Sequence, residues 1–178
     1  MKTNILIPFL SCLLCASCST LSSDKPAAPS NKTVTVTFVD PEKFTDVKMS
    51  SMESDKDRDF ILGEIKDFIV EKAPRHMDEG QTLEVTITNI DMAGDFEPWH
   101  GARMHDIRII KDIYPPRIDL GFKLTGADGT VVSEGARQLC DSTFMMSASL
   151  FSTNDSLRHE KQLLENWLQK DFPEKRRK

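Results

Sequence analysis

The residues best able to do chemistry fall between positions 91 and 117. Trp99-His100-Gly101-Ala102-Arg103-Met104-His105-Asp106 brings two imidazoles and a carboxylate within seven residues. His100, His105 and Asp106 could supply three ligands to zinc or copper. The spacing matches no tight zinc signature and no cysteine lies nearby, so a polar loop carrying two histidines accounts for it as well. Exposed histidines would make such a loop sensitive to pH near about 6.5 without a metal.

Other chemical patterns dissolve on inspection. Asp55-x-Asp57-x-Asp59 invites a calcium-loop reading, but Phe60 and Lys66 stand where the loop needs glycine and glutamate. Acidic residues there complement the dipole at a helix start. Ser142 and Thr143 follow Cys140-Asp141 without a Gly-x-Ser-x-Gly elbow, and there is no glycine-rich phosphate loop. Carboxylates are abundant, yet nothing marks a pair that would work across a cleft. The balance is against an enzyme, and no cofactor is implied.

A recognition surface is the stronger reading of the same stretch. The connection from Asp91 to Arg117 is much longer than a hairpin needs, and long connections in compact domains are often functional. It carries Trp99, Arg108, Asp112, Tyr114 and Arg117, with Arg103 nearby, and aromatics and arginines are enriched at binding hot spots. In the structural alternative, Asp106–Ile113 forms another strand or short helix with Ile107, Ile109 and Ile113 in the core. Pro115-Pro116 would then set the entry to the next strand.

The elements that must position these residues follow from periodicity. Val34, Val36 and Phe38 alternate with Thr33, Thr35 and Thr37, and Leu83, Val85 and Ile87 alternate with Glu84, Thr86 and Thr88. Each pattern predicts a half-buried strand with threonine on its outer face. Between them a helix is expected from about Glu53 to Ala73, with Ser50-x-x-Glu53 as its capping box and Ile61, Ile65, Phe68 and Ile69 inward. A strand, a crossover helix and a strand give a parallel pair. Ile118, Leu120, Phe122 and Leu124 predict a third strand, and Gly126-Ala127-Asp128-Gly129 a hairpin turn into a fourth, from Thr130 to about Cys140. A last helix, Ser156 to about Phe172, turns Leu157, Leu164, Leu168 and Phe172 inward, flanked by Leu163 and Trp167. The expected fold is α+β and two-layered. About four strands form a mixed sheet, two helices pack on one face, and the order is β-α-β-β-β-α. Phe144–Phe151 is a second apolar connection, either a Met-bearing contact surface or an extension of the last strand that caps the core.

The beginning of the chain suggests an address. Lys2, then a mostly apolar run of about a dozen residues from Ile5, then small residues, describe a secretory signal over residues 1–17. Spanning a bilayer takes roughly 20 apolar residues, more than this run offers. Ala16-Ser17-Cys18 resembles a bacterial lipoprotein box with Cys18 as the lipid acceptor, although Cys15 stands where that box usually has leucine. A signal-peptidase cut just after Cys18 is the rival. Ser19 after the acceptor resembles the outer-membrane sorting pattern of Gram-negative bacteria. Residues 18–31 would be the anchor and a Ser/Pro/Ala-rich tether of roughly 40 Å reach, and residues 32–178 a single domain.

Charge and cysteines narrow the partners. The formal net charge of -5 becomes more negative when Lys2 leaves with the signal, which argues against nucleic acid. Lys175-Arg176-Arg177-Lys178 is the local exception. It could touch anionic headgroups, or simply be a solvated end. Once Cys12 and Cys15 are removed and Cys18 is lipidated, Cys140 alone remains, so no internal disulfide is expected. In a strand, Cys140 is expected as a small buried hydrophobe.

Several stretches look familiar together. Asp106–Ile118, centred on Tyr114-Pro115-Pro116-Arg117, and Leu157–Trp167 carry the likeness, and Val36–Phe44 and Ile90–Gly94 fit the same pattern. They resemble the bacterial domain-of-unknown-function family 3016 across nearly all of the chain after the tether. The resemblance implies an exported envelope domain and supplies no mechanism. The expectation is therefore an exported periplasmic protein, lipid-anchored to the outer membrane if the cell is Gram-negative. It would be a non-catalytic module binding an envelope protein or a cell-wall or lipid component, touching membrane only through its anchor. A periplasmic metal-binding protein using the His100/His105 loop is the first alternative, and a hydrolase with unidentified carboxylates the second.

Overall fold

The computed structural model describes residues 31–52, 54–97, 106–146 and 151–173. Four strands form one mixed sheet in the order β1-β2-β5-β6. They are β1 (Thr33–Phe38), β2 (Thr82–Asp91), β5 (Arg117–Thr125) and β6 (Val131–Cys140). β1 pairs with β2 in parallel, and the other two pairings are antiparallel. Helices α1 (Asp55–Lys72) and α2 (Arg158–Asp171) cover one face, completing the α+β, two-layer arrangement. A two-stranded ribbon, β3 (Asp95–Phe96) with β4 (Arg108–Ile109), is built into the long connection between β2 and β5.

The alternating residues decide which face is covered. Leu83, Val85, Ile87, Ile118, Leu120, Phe122 and Leu124 are all buried against Ile61, Ile65, Ile69, Leu164 and Leu168 of the helices. Full burial of one such aliphatic side chain stabilises by about 1.5–3 kcal/mol, so this layer dominates the fold energetically. Register aligns Val36, Val85, Phe122 and Gly135 in one row across the sheet. Phe122 packs edge-on against Phe172 at 5.2 Å and tilted against Trp167 at 5.9 Å. Opposite it the glycine leaves room for Arg137, whose guanidinium lies 5.1 Å from the Phe122 ring and bonds Asp171 at 2.8 Å. The other face, with Thr33, Thr35, Thr37, Glu84, Thr88 and Lys123, is exposed.

Three local expectations are corrected. α1 starts at Asp55 behind Ser54, because the Ser50 hydroxyl bonds the Met52 carbonyl at 2.9 Å instead of capping a helix. Cys140 is exposed, since it sits opposite Arg117 and so falls on the open face with Val132, Glu134 and Gln138. Ile107 and Ile113 are also exposed, because of this stretch only Arg108 and Ile109 join the ribbon, whose buried side chain is Phe96. In the Phe144–Phe151 segment Phe144 is buried beside His159, while Met145 and Met146 face outward; residues 147–150 lie outside the description. Among the described residues no helix is long and apolar enough to cross a membrane.

Candidate functional site

The connection between β2 and β5 folds back onto the end of the sheet and is held there by Arg108. β3 and β4 set Arg108 directly opposite Phe96, and the guanidinium lies 4.7 Å from the centre of that ring. From there it donates to both carboxylate oxygens of Asp46, at 2.7 and 3.1 Å. It also donates to the carbonyls of Lys48 at 2.8 Å, Gly94 at 2.9 Å and Ala93 at 3.4 Å. Asp46 is itself tied to the end of β2: its amide donates to Ile90, and its carbonyl accepts from Met92. A planar cation with five donors suits this junction, which needs a bidentate partner and several carbonyl contacts at once.

Two further carboxylates lock the same connection, and both are almost wholly buried. Glu97 accepts from the Lys111 ammonium at 2.6 and 2.7 Å and from the Tyr114 hydroxyl at 3.1 Å. Glu160, on α2, accepts the Ala93 amide at 2.7 Å through Oε1, while its Oε2 has no hydrogen-bond partner among the described residues. Burial pushes the Glu160 carboxyl well up; the Ala93 amide and the positive field of Arg108 oppose this. Beside it, burial pushes the His159 imidazole down, and the neighbouring Arg158 adds to that.

What remains open is a polar groove where the strands end. A cavity of about 300 Å³ is lined by Thr45, Asp46, Lys48, Asp91, Asp95, Tyr114, Pro115 and Arg117. A second, of about 500 Å³, shares Thr45, Asp91 and Arg117 and continues past Asn89, Asp119, Gln138 and Cys140. Arg117 and Asp91 are cross-strand partners at the junction of the two. Burial and the nearby Asp46 raise the Asp91 carboxyl, against the pull of Arg117 and Arg108. The Arg117 side chain is exposed and makes no hydrogen bond or ion pair with a described residue. The groove therefore offers one open guanidinium beside carboxylates, suited to holding an anionic group while hydroxyls or amines meet Asp91 and Asp95.

A family model described as a protein of unknown function (DUF3016) matches residues 32–170. The chain belongs to this family. The match covers the sheet, both helices down to Lys170 and the groove. No curated protein and no solved structure matches the chain.

The residues singled out from sequence separate into different roles. Tyr114 and Arg117 line the groove. Arg108 lies behind it in the ion pair with Asp46, and Asp112 is exposed on the turn that precedes Tyr114. Asp106 is exposed and accepts a hydrogen bond from the Ser51 hydroxyl. Trp99, His100, His105 and Cys18 lie outside the described residues. Among the described residues no three His, Cys, Asp or Glu side chains gather as a metal site. Sequence reasoning missed Asp46, Glu97 and Glu160. A lone acid carries no local sign that it will be buried, since its counterpart lies far along the chain.

Proposed function

We propose that this is an exported envelope protein, anchored by lipid at Cys18, whose domain is a non-catalytic binding module. Its groove takes an anionic group of an envelope protein or of a cell-wall or lipid component. The observation that carries this reading is Arg117. The long connection brings several cations to one end of the sheet, and the fold consumes Arg108 and engages Lys111. The Arg117 side chain makes no hydrogen bond or ion pair with a described residue and lies at the meeting of two cavities, one of which Tyr114 also lines. An open guanidinium can hold carboxylate or phosphate bidentately, and a nearby aromatic adds contact area.

In-cell crosslinking of the native protein, compared with Arg117→Ala, tests the groove. The expected outcome is one or more crosslinked species whose yield falls in the variant while its melting temperature is unchanged. Equal yields would refute the groove as the contact. For the anchor, the mature protein should partition into detergent and lose that behaviour on Cys18→Ala. A soluble periplasmic protein whose N-terminus lies beyond residue 18 would refute it.

A further inference from the structure

At the groove end, the open face of the sheet sets opposite charges side by side. Register places Asp91 and Arg117 in one row across β2 and β5, and Asn89, Asp119 and Gln138 in the next row, which reaches β6. Ile90 and Ile118 alternate with them and are fully buried on the helix side, so both rows stand on the uncovered face. Cross-strand neighbours lie about 5 Å apart, and residues two along a strand about 7 Å. Arg117 is therefore a direct neighbour of Asp91 and a near neighbour of Asp119. Opposite charges so placed usually attract across the ladder. Here the Asp91, Arg117 and Asp119 side chains form no ion pair with each other or with another described residue.

The charges that line or back the groove do not cancel among themselves. Arg108 is closed on Asp46, and Lys111 on Glu97. Lys48 lines the smaller cavity 4.0 Å from Asp46, so it shares that carboxylate with Arg108. Both signs are left facing the cavities: Lys48 and Arg117 against Asp91, Asp95 and Asp119. Burial, Asp46 and Asp95 all raise the Asp91 carboxyl, and an arriving cation would offset them. A purely anionic ligand on Arg117 would cover these carboxylates without a counter-charge, and a purely cationic one would do the same to Arg117. We propose that the ligand is an α-amino-acid end, its carboxylate on Arg117 and its ammonium on Asp91 and Asp95, as a free amino acid or borne on the side chain of a peptide. This rests on the groove being the binding site proposed above and names what it holds. The cavity of about 300 Å³ that these three side chains share suits so small a head. In the adjoining cavity of about 500 Å³, Asn89 and Gln138 supply primary amides that can pair with a peptide bond. Asn89 Oδ1 already accepts from the Thr45 amide at 2.9 Å and hydroxyl at 3.1 Å, which leaves its amide nitrogen to donate.

Calorimetric titration tests this on the full chain as cells make it, purified in a mild detergent. Alanine is expected to bind. N-acetylalanine, which lacks the ammonium, and alanine amide, which lacks the carboxylate, should each bind at least about ten-fold more weakly, the scale of one charged hydrogen bond. Arg117→Ala and Asp91→Asn should each weaken alanine by a similar factor at unchanged melting temperature. The probe series needs no variant, so it decides the matter even if Asp91→Asn loosens the fold. A short peptide carrying a diamino acid with its distal α-amino-acid end free separates the sources: tighter binding than alanine assigns the peptide-borne form, and equal binding the free amino acid. N-acetylalanine binding as tightly as alanine, and indifferent to Asp91→Asn, would overturn the proposal and leave the groove an anion site. Phosphoethanolamine binding more tightly than alanine would also overturn it, in favour of a lipid head. If no probe binds while in-cell crosslinking still depends on Arg117, the α-amino-acid end is refuted and the groove stands. Loss of that dependence as well would remove both.

Discussion

Arg108 closes on both carboxylate oxygens of Asp46, 62 positions away in the chain, at 2.7 and 3.1 Å. Both side chains are largely buried, 14% and 10% exposed, so the pair works as an internal fastener between the ribbon and the end of β2. Removing Arg108 leaves the Asp46 carboxylate with Lys48, 4.0 Å away, as its remaining cation.

Arg108→Ala should therefore destabilise the domain by about 3–5 kcal/mol in denaturant unfolding, as loss of half of a buried pair does. The double variant Asp46→Ala with Arg108→Ala should cost less than the two single changes added together. Strict additivity would mean that the carbonyl contacts, not the ion pair, carry the junction.

The covered and open faces predict opposite responses to truncation. Ile65→Ala and Leu164→Ala, both fully buried, should each cost about 2–5 kcal/mol. Thr35→Ala and Thr37→Ala, on the exposed face, should stay within about 0.5 kcal/mol. Large losses at the threonines would require a second layer on that face.

Gly94 is held where other residues strain. Its φ is +80°, and a Cβ there would come within 2.6 Å of the Ile110 side chain and 2.7 Å of the Ile109 carbonyl oxygen. Gly129 shares the same φ with nothing within 4 Å. Gly129→Ala should thus cost about 1–2 kcal/mol from backbone strain alone. Gly94→Ala should cost distinctly more and weaken the groove, because the Gly94 amide also holds the Tyr114 carbonyl at 3.0 Å. Equal losses at the two glycines would refute the close approach.

Glu160 makes stability depend on pH. Its carboxyl is raised in the folded state by burial, while in the unfolded chain it ionises near its ordinary 4.5. Above that pH the folded state holds more protons than the unfolded one, so stability falls as pH rises through the folded value. Glu160→Gln keeps an acceptor for the Ala93 amide and removes the titration. The variant should gain on the parent from about pH 4.5 until the folded carboxyl has ionised and hold a constant lead beyond that, measured by denaturant midpoints. A constant difference across pH would show that Glu160 ionises as freely folded as unfolded. His159 slopes the other way below its ordinary 6.5, and being present in both proteins it cancels from the comparison.

Strands, helices and their layering were legible because each element carries its own periodicity. Val34, Val36 and Phe38 declare a strand without reference to anything distant, and Ile61, Ile65, Phe68 and Ile69 declare a helix face. The stretches 106–118, 157–167, 36–44 and 90–94 together suggest the family, whose model matches residues 32–170. Boundaries slipped where a local pattern had a stronger competitor, as with Ser50, whose hydroxyl found the Met52 carbonyl. Cys140 was misjudged for a related reason: its burial depends on which face it shares, and that follows from pairing with Arg117.

Sequence alone determined the α+β layering, the parallel first pair and the stretch that carries the candidate site. Only the tertiary structure decided what each charged residue in that stretch does. Arg108 and Arg117 are chemically identical and nine positions apart, yet one is spent on Asp46 and the other stands open at a groove. The physical reason is range. Hydrophobic periodicity is written in neighbours, whereas an ion pair depends on which distant backbone brings a counter-charge within hydrogen-bond reach.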